Sequence, residues 1–220
     1  MEKRKIILGT YNTAVHGWTL TGWALSRAEQ KTKYLDKPSG DGTWDLSTAL
    51  TDGIMRYKDR SFTATLECSE GDRKERESLI RRLINSLDGE KVEIRLPDDE
   101  AHHLVGRLQI TRDYNDLAHA RVTVSAVCEP WKYADAETVV TATATGTKQL
   151  VTLYNEGKRA VVPTITVTGG EVLLEYGNAS QAMSAGQYKW PNLLLTPGSL
   201  SLRCSGTGTV AFTYREAVLE

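Results

Sequence analysis

The chain has 220 residues, of which 40% are hydrophobic and 25% are charged, and its formal net charge is −1. These proportions exclude a disordered or collagen-like chain, and the near-neutral charge gives no sign of general nucleic-acid or membrane binding. No apolar run approaches the roughly 20 residues that span a bilayer, and the N-terminus lacks the apolar region of a signal peptide, so we expect synthesis in a cytoplasm without export by that route.

The first predicted element is a strand in "GWTLTGWALS" (17–26), where Trp18 and Trp23 stand five residues apart and are expected on opposite faces. The segment "SGDGTWDLSTAL" (39–50) then packs two glycines, two aspartates and a tryptophan into a short space. The residues that follow Asp41 do not alternate oxygen ligands as a calcium loop requires. We interpret the segment as a loop that leads into a short apolar stretch, with Trp44 exposed as part of a contact surface.

Residues 57–69 alternate strictly between apolar and polar side chains, which predicts a half-buried strand. A helix follows, because Asp72 and Glu75 have the spacing of a capping box. An apolar stripe recurs every three or four residues, and Gly89 stands where a helix would end. The residues of that stripe are Leu79, Ile80, Leu83, Ile84 and Leu87.

Three further strands, 91–97, 104–112 and 120–129, alternate in the same way, and "YNDLAH" between the last two is expected to form a turn. The first part of the chain is therefore predicted to be a largely antiparallel sheet with one helix packed on it. This is an α+β arrangement within a mainly β protein.

The composition changes near residue 136. Residues 1–136 contain 43 charged side chains, whereas 137–220 contain 12 and are rich in threonine, glycine and valine. We place a domain boundary there, giving domains 1–136 and 137–220. The second domain shows short apolar or alternating runs about ten residues apart, which predicts a small β-sandwich, and "GTGT" (206–209) is expected to be a hairpin turn within it.

The sequence offers no catalytic set. None of His16, His102, His103 and His119 has a metal-ligand or triad spacing, and His102 and His103 are expected to be solvated in an exposed loop. Nucleotide-binding and nucleophile-elbow motifs are absent. The three cysteines, Cys68, Cys128 and Cys204, are far apart and odd in number. We expect them to be buried apolar residues, and we predict no enzyme activity, no cofactor and no metal.

A family resemblance rests on three stretches of the chain. These are "GWTLTGWALS", then "SGDGTWDLSTALTDGIMRYKDRSFTATLEC" with its Gly–Asp–Gly turn, and "LYNEGKRAVVPTITVTGG" with its Asn155–Gly157 turn and Pro163. Over nearly its whole length the chain resembles the distal tail protein of long-tailed bacteriophages. The resemblance implies a tail-tube-like β-sandwich with one helix in the first domain and a galectin-like β-sandwich in the second.

The resemblance also implies a function, that of a structural virion protein of the phage tail tip or baseplate. The first domains would join as a homo-hexameric ring that continues the tail tube, with a channel through which DNA passes without specific binding. Expected partners are the tail tube protein, the tail hub or tip protein and receptor-binding or other baseplate proteins, without membrane insertion. We expect the subunit contact to involve Asp41, Trp44, Asp45, Tyr57 and Arg60.

Two alternatives stay open at this point. One is a carbohydrate-binding β-sandwich protein, suggested by the predicted sandwich and by Trp131 and Trp190. The other is a tube or hub protein of a contractile tail or of a phage-derived bacteriocin particle. The second domain lacks histidine, and its only tryptophan is Trp190, so we expect no galactoside binding of the kind seen in true galectins.

Overall fold

A computed structural model describes residues 4–51, 53–114 and 120–220, and the chain divides into two units, 1–132 and 133–220. Composition placed this boundary after residue 136. The elements up to the boundary are β1 (Ile7–Leu8), β2 (Tyr11–Asn12), β3 (Thr19–Leu25), β4 (Tyr34–Asp36), β5 (Thr43–Asp45), β6 (Arg60–Cys68), α1 (Arg73–Leu87), β7 (Lys91–Leu96), β8 (Asp99–Arg112), β9 (Ala120–Cys128) and β10 (Lys132–Ala134).

The second unit continues with β11 (Thr138–Thr145), β12 (Gln149–Asn155), β13 (Thr164–Thr168), β14 (Val172–Tyr176), β15 (Ala179–Met183), β16 (Gly186–Lys189), β17 (Gly198–Tyr214) and β18 (Ala217–Val218). The predicted class, mainly β with one helix, is confirmed, since α1 is the single helix among the described residues.

The first unit is built on an antiparallel sheet with the strand order β2-β1-β7-β8-β9-β6-β3. The predicted alternation of the central strands is confirmed, because Phe62, Leu66, Val122 and Val124 are fully buried. Helix α1 covers this apolar face and contributes Ile80, Leu83 and Leu87 to the core.

Helix α1 begins at the capping box that the sequence predicts. The Asp72 side chain accepts a hydrogen bond from Glu75 N, and the Glu75 side chain accepts one from Asp72 N, both at 2.8 Å. This reciprocal capping box satisfies two backbone N–H groups that the first turn leaves without helical partners. At the other end, Asp88 Oδ1 accepts a hydrogen bond from Ile110 N at 2.7 Å, which ties the end of the helix to β8.

A β-bulge in β3 makes the prediction for Trp18 and Trp23 wrong. Leu20 pairs with Leu66 and Gly22 with Thr65, so one extra residue enters β3 between the two pairs. The bulge reverses the alternation of the strand. Trp23, paired with Ala64, therefore packs against the same core in which Trp18 is fully buried.

The prediction of a solvated His102–His103 loop is also wrong. A turn at residues 97–98 ends β7, and β8 begins at Asp99, so both histidines lie in a strand. His103 is only 4% exposed, and His102 Nδ1 lies 2.9 Å from Asp99 Oδ1. The predicted turn before β9 spans residues 114–119, of which 115–119, including His119, lie outside the described residues.

The second unit is a single antiparallel sheet bent double. β17 is 17 residues long, and its first half pairs with β12 on one side and β14 on the other. Its second half pairs with β11 and β13 in the same way. β11 followed by β12 therefore runs along β17 from one end to the other. On the other side of β17, β13 and β14 together pair with its residues between Arg203 and Thr213. The predicted sandwich forms because the two halves of the sheet face each other across one apolar core.

The prediction of a hairpin turn at "GTGT" is wrong, because residues 206–209 lie inside β17, at the bend. Backbones approach closely there. A Cβ on Gly206 would lie 2.3 Å from Glu171 O, and one on Gly170 would lie 2.1 Å from Thr207 O. The glycines therefore bend a continuous strand against its neighbour instead of ending it.

The "LYNEG" segment forms a buried corner. Asn155 is 1% exposed, and its Oδ1 accepts a hydrogen bond from Gly157 N at 3.0 Å. Its Nδ2 donates to Arg159 O at 2.9 Å. The side chain thus satisfies backbone groups where β12 ends and the chain turns toward the buried Pro163 and β13.

We expect Gly206→Ala to destabilise the protein far more than Gly146→Ala. Both glycines have positive φ, at 105° and 90°, but a Cβ on Gly146 would meet nothing within 4 Å. The control substitution should therefore lower the free energy of unfolding by about 1 kcal/mol through backbone strain alone. Gly206→Ala adds a backbone clash and should lower it by about 2–4 kcal/mol. Urea unfolding curves measure both values, and equal losses would contradict the close approach at the bend.

Candidate subunit-contact surface

A long excursion leaves the edge of the first unit's sheet between β3 and β6; we refer to residues 26–59 as the arm. Its root is a ladder that continues the β3–β6 pairing. Ser26 N donates to Ser61 O at 2.8 Å, and Lys58 N donates to Glu29 O at 2.8 Å. Further out, Gln30 bridges Tyr57. The arm is therefore anchored by main-chain hydrogen bonds at the sheet edge.

The outer part of the arm is a hairpin of its own, in which β4 and β5 form a separate two-stranded sheet. Leu35 pairs with Trp44, so these two apolar side chains share one face of the hairpin. Beyond β5, Asp45 Oδ1 accepts a hydrogen bond from Ser47 N at 2.9 Å, and Ser47 Oγ accepts one from Lys33 N at 2.8 Å. The hydrogen bonds from Ser47 lower the pKa of the Asp45 carboxyl, so this carboxylate helps to close the hairpin base.

The arm carries apolar side chains but no core. None of its described residues is buried. Its large exposed hydrophobic residues are Tyr34 (57% exposed), Leu35 (49%), Trp44 (48%), Leu46 (40%) and Leu50 (98%). An isolated two-stranded hairpin is marginally stable in water, and clustered exposed apolar side chains mark interaction surfaces. The arm therefore has the properties of a segment that is completed by contact with another surface.

The arm is also electrically balanced. Between residues 26 and 59 the sequence has six basic and six acidic side chains. One ion pair at the root joins Lys58 Nζ to Glu29 Oε2 at 3.0 Å. A segment with no net charge does not repel an identical segment on a neighbouring copy, so its charge allows a contact between copies of the chain.

Four of the five predicted contact residues lie at or near the surface of the arm. Asp41 is exposed in the hairpin loop, and Trp44 and Asp45 are exposed on β5. Tyr57 is half-buried at the root, where its ring meets Trp131 edge-on with 5.3 Å between ring centroids. The structure brings the first three together in one hairpin and separates them from the root.

Arg60, the fifth residue predicted for the subunit contact, is only 3% exposed, so its side chain does not lie on the surface of the arm. Arg60 begins β6, and its Nε donates a hydrogen bond to Ser26 O at 2.8 Å. The guanidinium therefore joins the two chains of the arm where they leave the sheet. Its contribution is to hold the root of the arm in place.

Sequence reasoning missed Tyr34 and Leu35, whereas Leu46 and Leu50 belong to the short apolar stretch within residues 39–50, the segment in which it placed a contact surface. The two missed residues follow no helical or strand period long enough to be noticed, since β4 and β5 have only three residues each. The available signal was their occurrence in a stretch rich in charge, glycine and proline, where apolar side chains have no evident core to join.

The face of the first unit's sheet opposite the core carries mostly uncharged polar side chains. Two rows cross β6, β9 and β8: Thr63–Ser125–Gln109 and Thr65–Thr123–Thr111. At the border of these rows, Arg121 is paired with Glu67 at 2.6 Å. We refer to the six residues of the two rows as the hydroxyl face. Its central rows hold no ionisable side chain that could attract or repel a polyanion.

Other kinds of site find little support in the described residues. No group of three His, Cys, Asp or Glu residues among them could hold a metal ion, and none of their helices is long and apolar enough to cross a membrane. For the carbohydrate alternative, Trp190 is only 6% exposed within the core of the second unit. Trp131 is half-buried against Tyr57, so neither ring is an open platform for stacking a sugar.

Comparison with solved structures finds a likeness that spans nearly the whole chain. The fold is similar to that of the Dit protein of phage SPP1, with a TM-score of 0.67 and 15% sequence identity over 96% of this chain and 98% of that one. Dit is described as a paradigm of the hub adsorption apparatus in phages that infect Gram-positive bacteria. No protein-family profile matches the sequence, and no curated protein sequence matches it either.

We expect the cysteines to be unreactive in the folded protein. All three are buried, and burial raises the pKa of the Cys128 thiol to about 11. At pH 8 the folded protein should therefore show no rapid labelling by a thiol reagent, whereas the unfolded protein should label three thiols per chain. Absorbance of the released chromophore measures this, and rapid labelling of a native cysteine would contradict the burial.

Proposed function

We propose that this protein is a structural virion component that forms a homo-hexameric ring at the distal end of a phage tail. The ring joins the tail tube to the tip or baseplate and to host-recognition proteins, and DNA passes through it. The observation that carries the proposal is the arm, an apolar hairpin with no core, on a chain whose fold resembles the Dit protein of SPP1 along nearly its full length. The protein is proposed to act by assembly, without catalysis.

The arm suits the contact that such a ring needs. Copies placed head to tail touch through two different surfaces, and the contact repeats until the ring closes. An arm that projects from one edge of a sheet supplies one of the two surfaces, and the body of the neighbouring copy supplies the other. Burial of the exposed aromatic and leucine side chains of the arm would contribute to an interface on the order of 1,200–2,000 Å².

The hydroxyl face suits a channel wall. Duplex DNA carries dense negative charge, so a basic wall would bind it and an acidic wall would resist its entry. Threonine, serine and glutamine side chains present neither charge. On one border, Arg121 lies 2.6 Å from Glu67 and 3.9 Å from Asp113. On the other border, the row Ser61–Val127–Arg107 adds one exposed guanidinium. We therefore propose that the hydroxyl face lines the channel, and that the second unit offers attachment to other tip or baseplate proteins.

Light scattering coupled to size exclusion tests the ring. We expect about six chains per particle at micromolar concentration, either alone or with the tube and hub proteins of the same virion. The double variant Leu35→Asp/Trp44→Asp should weaken assembly at least about tenfold, because it places charge in the centre of an apolar contact. Leu194→Asp, a similar change at an exposed leucine of the second unit, should leave assembly unchanged.

A strict monomer, both alone and with those partners, would contradict the ring and would move the carbohydrate-binding alternative to first place. Equal effects of the arm variant and the Leu194→Asp control would contradict the role of the arm.

The channel wall has its own test. The variant Thr65→Lys/Thr123→Lys should convert rings that do not retain duplex DNA into rings that do, with retention falling steeply as salt rises. An electrophoretic shift at low salt measures this. A matched variant, Thr152→Lys/Ser201→Lys, adds two lysines at an exposed cross-strand pair of the second unit and should retain no DNA. Unchanged DNA retention by the threonine variant would contradict the assignment of the hydroxyl face to the channel.

A further inference from the structure

In the described part of the second unit, a long sheet edge formed by β11 and continued after the bend by β12 pairs with β17 on one side only. Gly146 N donates to Gly206 O at 2.8 Å, so the even-numbered residues of β11 direct their backbone groups toward β17. Because backbone direction alternates along an antiparallel strand, the odd-numbered residues direct theirs away from β17. These residues are Val139, Thr141, Thr143 and Thr145, and all four are exposed.

Almost nothing in the described part of the chain occupies these outward backbone groups. Only one hydrogen bond reaches them, from Gln149 Nε2 to Thr143 O at 2.6 Å, and a flexible side chain gives up such a bond readily. No described strand pairs with β11 on this side. The row of N–H and C=O groups is therefore available to an extended strand, the one structure that matches its spacing.

The edge also lacks the features by which sheet edges are normally protected. Lysines, prolines, bulges or very short strands usually prevent pairing with another chain. β11 has eight residues, "TVVTATAT", without a charge or a proline, and its register along β17 is unbroken from Thr138 to Thr145. Val139 is 56% exposed on its outer surface. A regular, uncharged edge of this length favours strand addition.

The charges around the edge indicate which strand it fits. At the Thr138 end, Glu137 is paired with Arg215 at 3.3 Å, and a groove of about 370 Å³ is lined in part by Glu156 and Glu216. At the opposite end, beyond Thr145, Lys148 is paired with Glu175 at 2.7 Å, and both line a depression together with Arg203. Beyond the two ion pairs, the groove contributes carboxylates at one end and the depression contributes a guanidinium at the other. A second copy in antiparallel orientation brings these unlike ends together.

We propose that two copies of this chain associate by antiparallel pairing of their β11 edges around a two-fold axis. With Ala142 on the axis, Thr141 of each copy pairs with Thr143 of the other, and Val139 pairs with Thr145. Every outward N–H and C=O of the four odd-numbered residues then finds a partner, and the threonines form cross-strand pairs. A two-fold contact cannot close a six-membered ring, so this contact joins two free chains or two rings and does not depend on the proposed ring.

Light scattering on the full chain at near-millimolar concentration, where the pairing should be populated, tests it. The wild-type particle mass should fall twofold in Thr141→Pro, because the proline removes an outward N–H and leaves the β17 ladder intact. Thr143→Lys should have the same effect, whereas Gln187→Lys, the same charge added at the exposed opposite edge strand β16, should not. A wild-type monomer, or a particle whose mass is unchanged by Thr141→Pro and Thr143→Lys, overturns the pairing. A six-chain particle whose mass neither substitution changes would overturn the pairing and would still support the ring.

Amide hydrogen exchange gives a second readout that needs no variant. The N–H groups of Thr141 and Thr143 should exchange about tenfold more slowly when the chain concentration is raised from micromolar to near millimolar. Those of Val140 and Ala142, already bonded to β17, should show little change. Exchange of Thr141 and Thr143 that is independent of concentration throughout this range overturns the proposal.

Discussion

Every open antiparallel sheet has two edges at which backbone N–H and C=O groups lack partners, and the organisation of this protein follows from how those edges are used. In the first unit the edge strand β3 is continued by the arm, whose root keeps the ladder intact through Ser26, Glu29 and Gln30. In the second unit the β11 edge is left uncovered among the described residues. Both candidate contact surfaces therefore start from a sheet edge of the main chain, and their side chains determine what kind of contact each can make.

The sequence predicts the elements well where a single period governs a whole segment. β6, β9 and α1 alternate or repeat without interruption, and a capping box with a downstream glycine fixes both ends of the helix. Prediction fails where one residue changes the phase. The bulge near Thr21 returns Trp23 to the core side, and Gly206 bends β17 where glycines normally suggest a turn. Neither event is visible locally, because each depends on the strand that lies alongside.

The candidate site was predictable only in part, for a related reason. Trp44 and Asp45 could be predicted as contact residues because a glycine-rich turn precedes them. Leu35 shares a hairpin face with Trp44, but no sequence pattern around it predicts this. Arg60 was expected in the subunit contact, and an arginine side chain is rarely fully buried. Its burial is explained by Ser26 O, which comes from the other chain of the arm root. Pairings between residues far apart in sequence decide which side chains meet.

The two surfaces differ in a way that suits different contacts. The arm offers aromatic and leucine side chains on a support that is marginal by itself, so its partner must supply the packing that a core would otherwise provide. The β11 edge offers threonine and valine on a rigid sheet that is already packed, so its partner needs to supply mainly backbone hydrogen bonds. Contacts of the first kind depend on side-chain shape and gain most of their free energy by burying apolar area. Contacts of the second kind tolerate changes in side chain but not the loss of an N–H, which is why a proline can distinguish them.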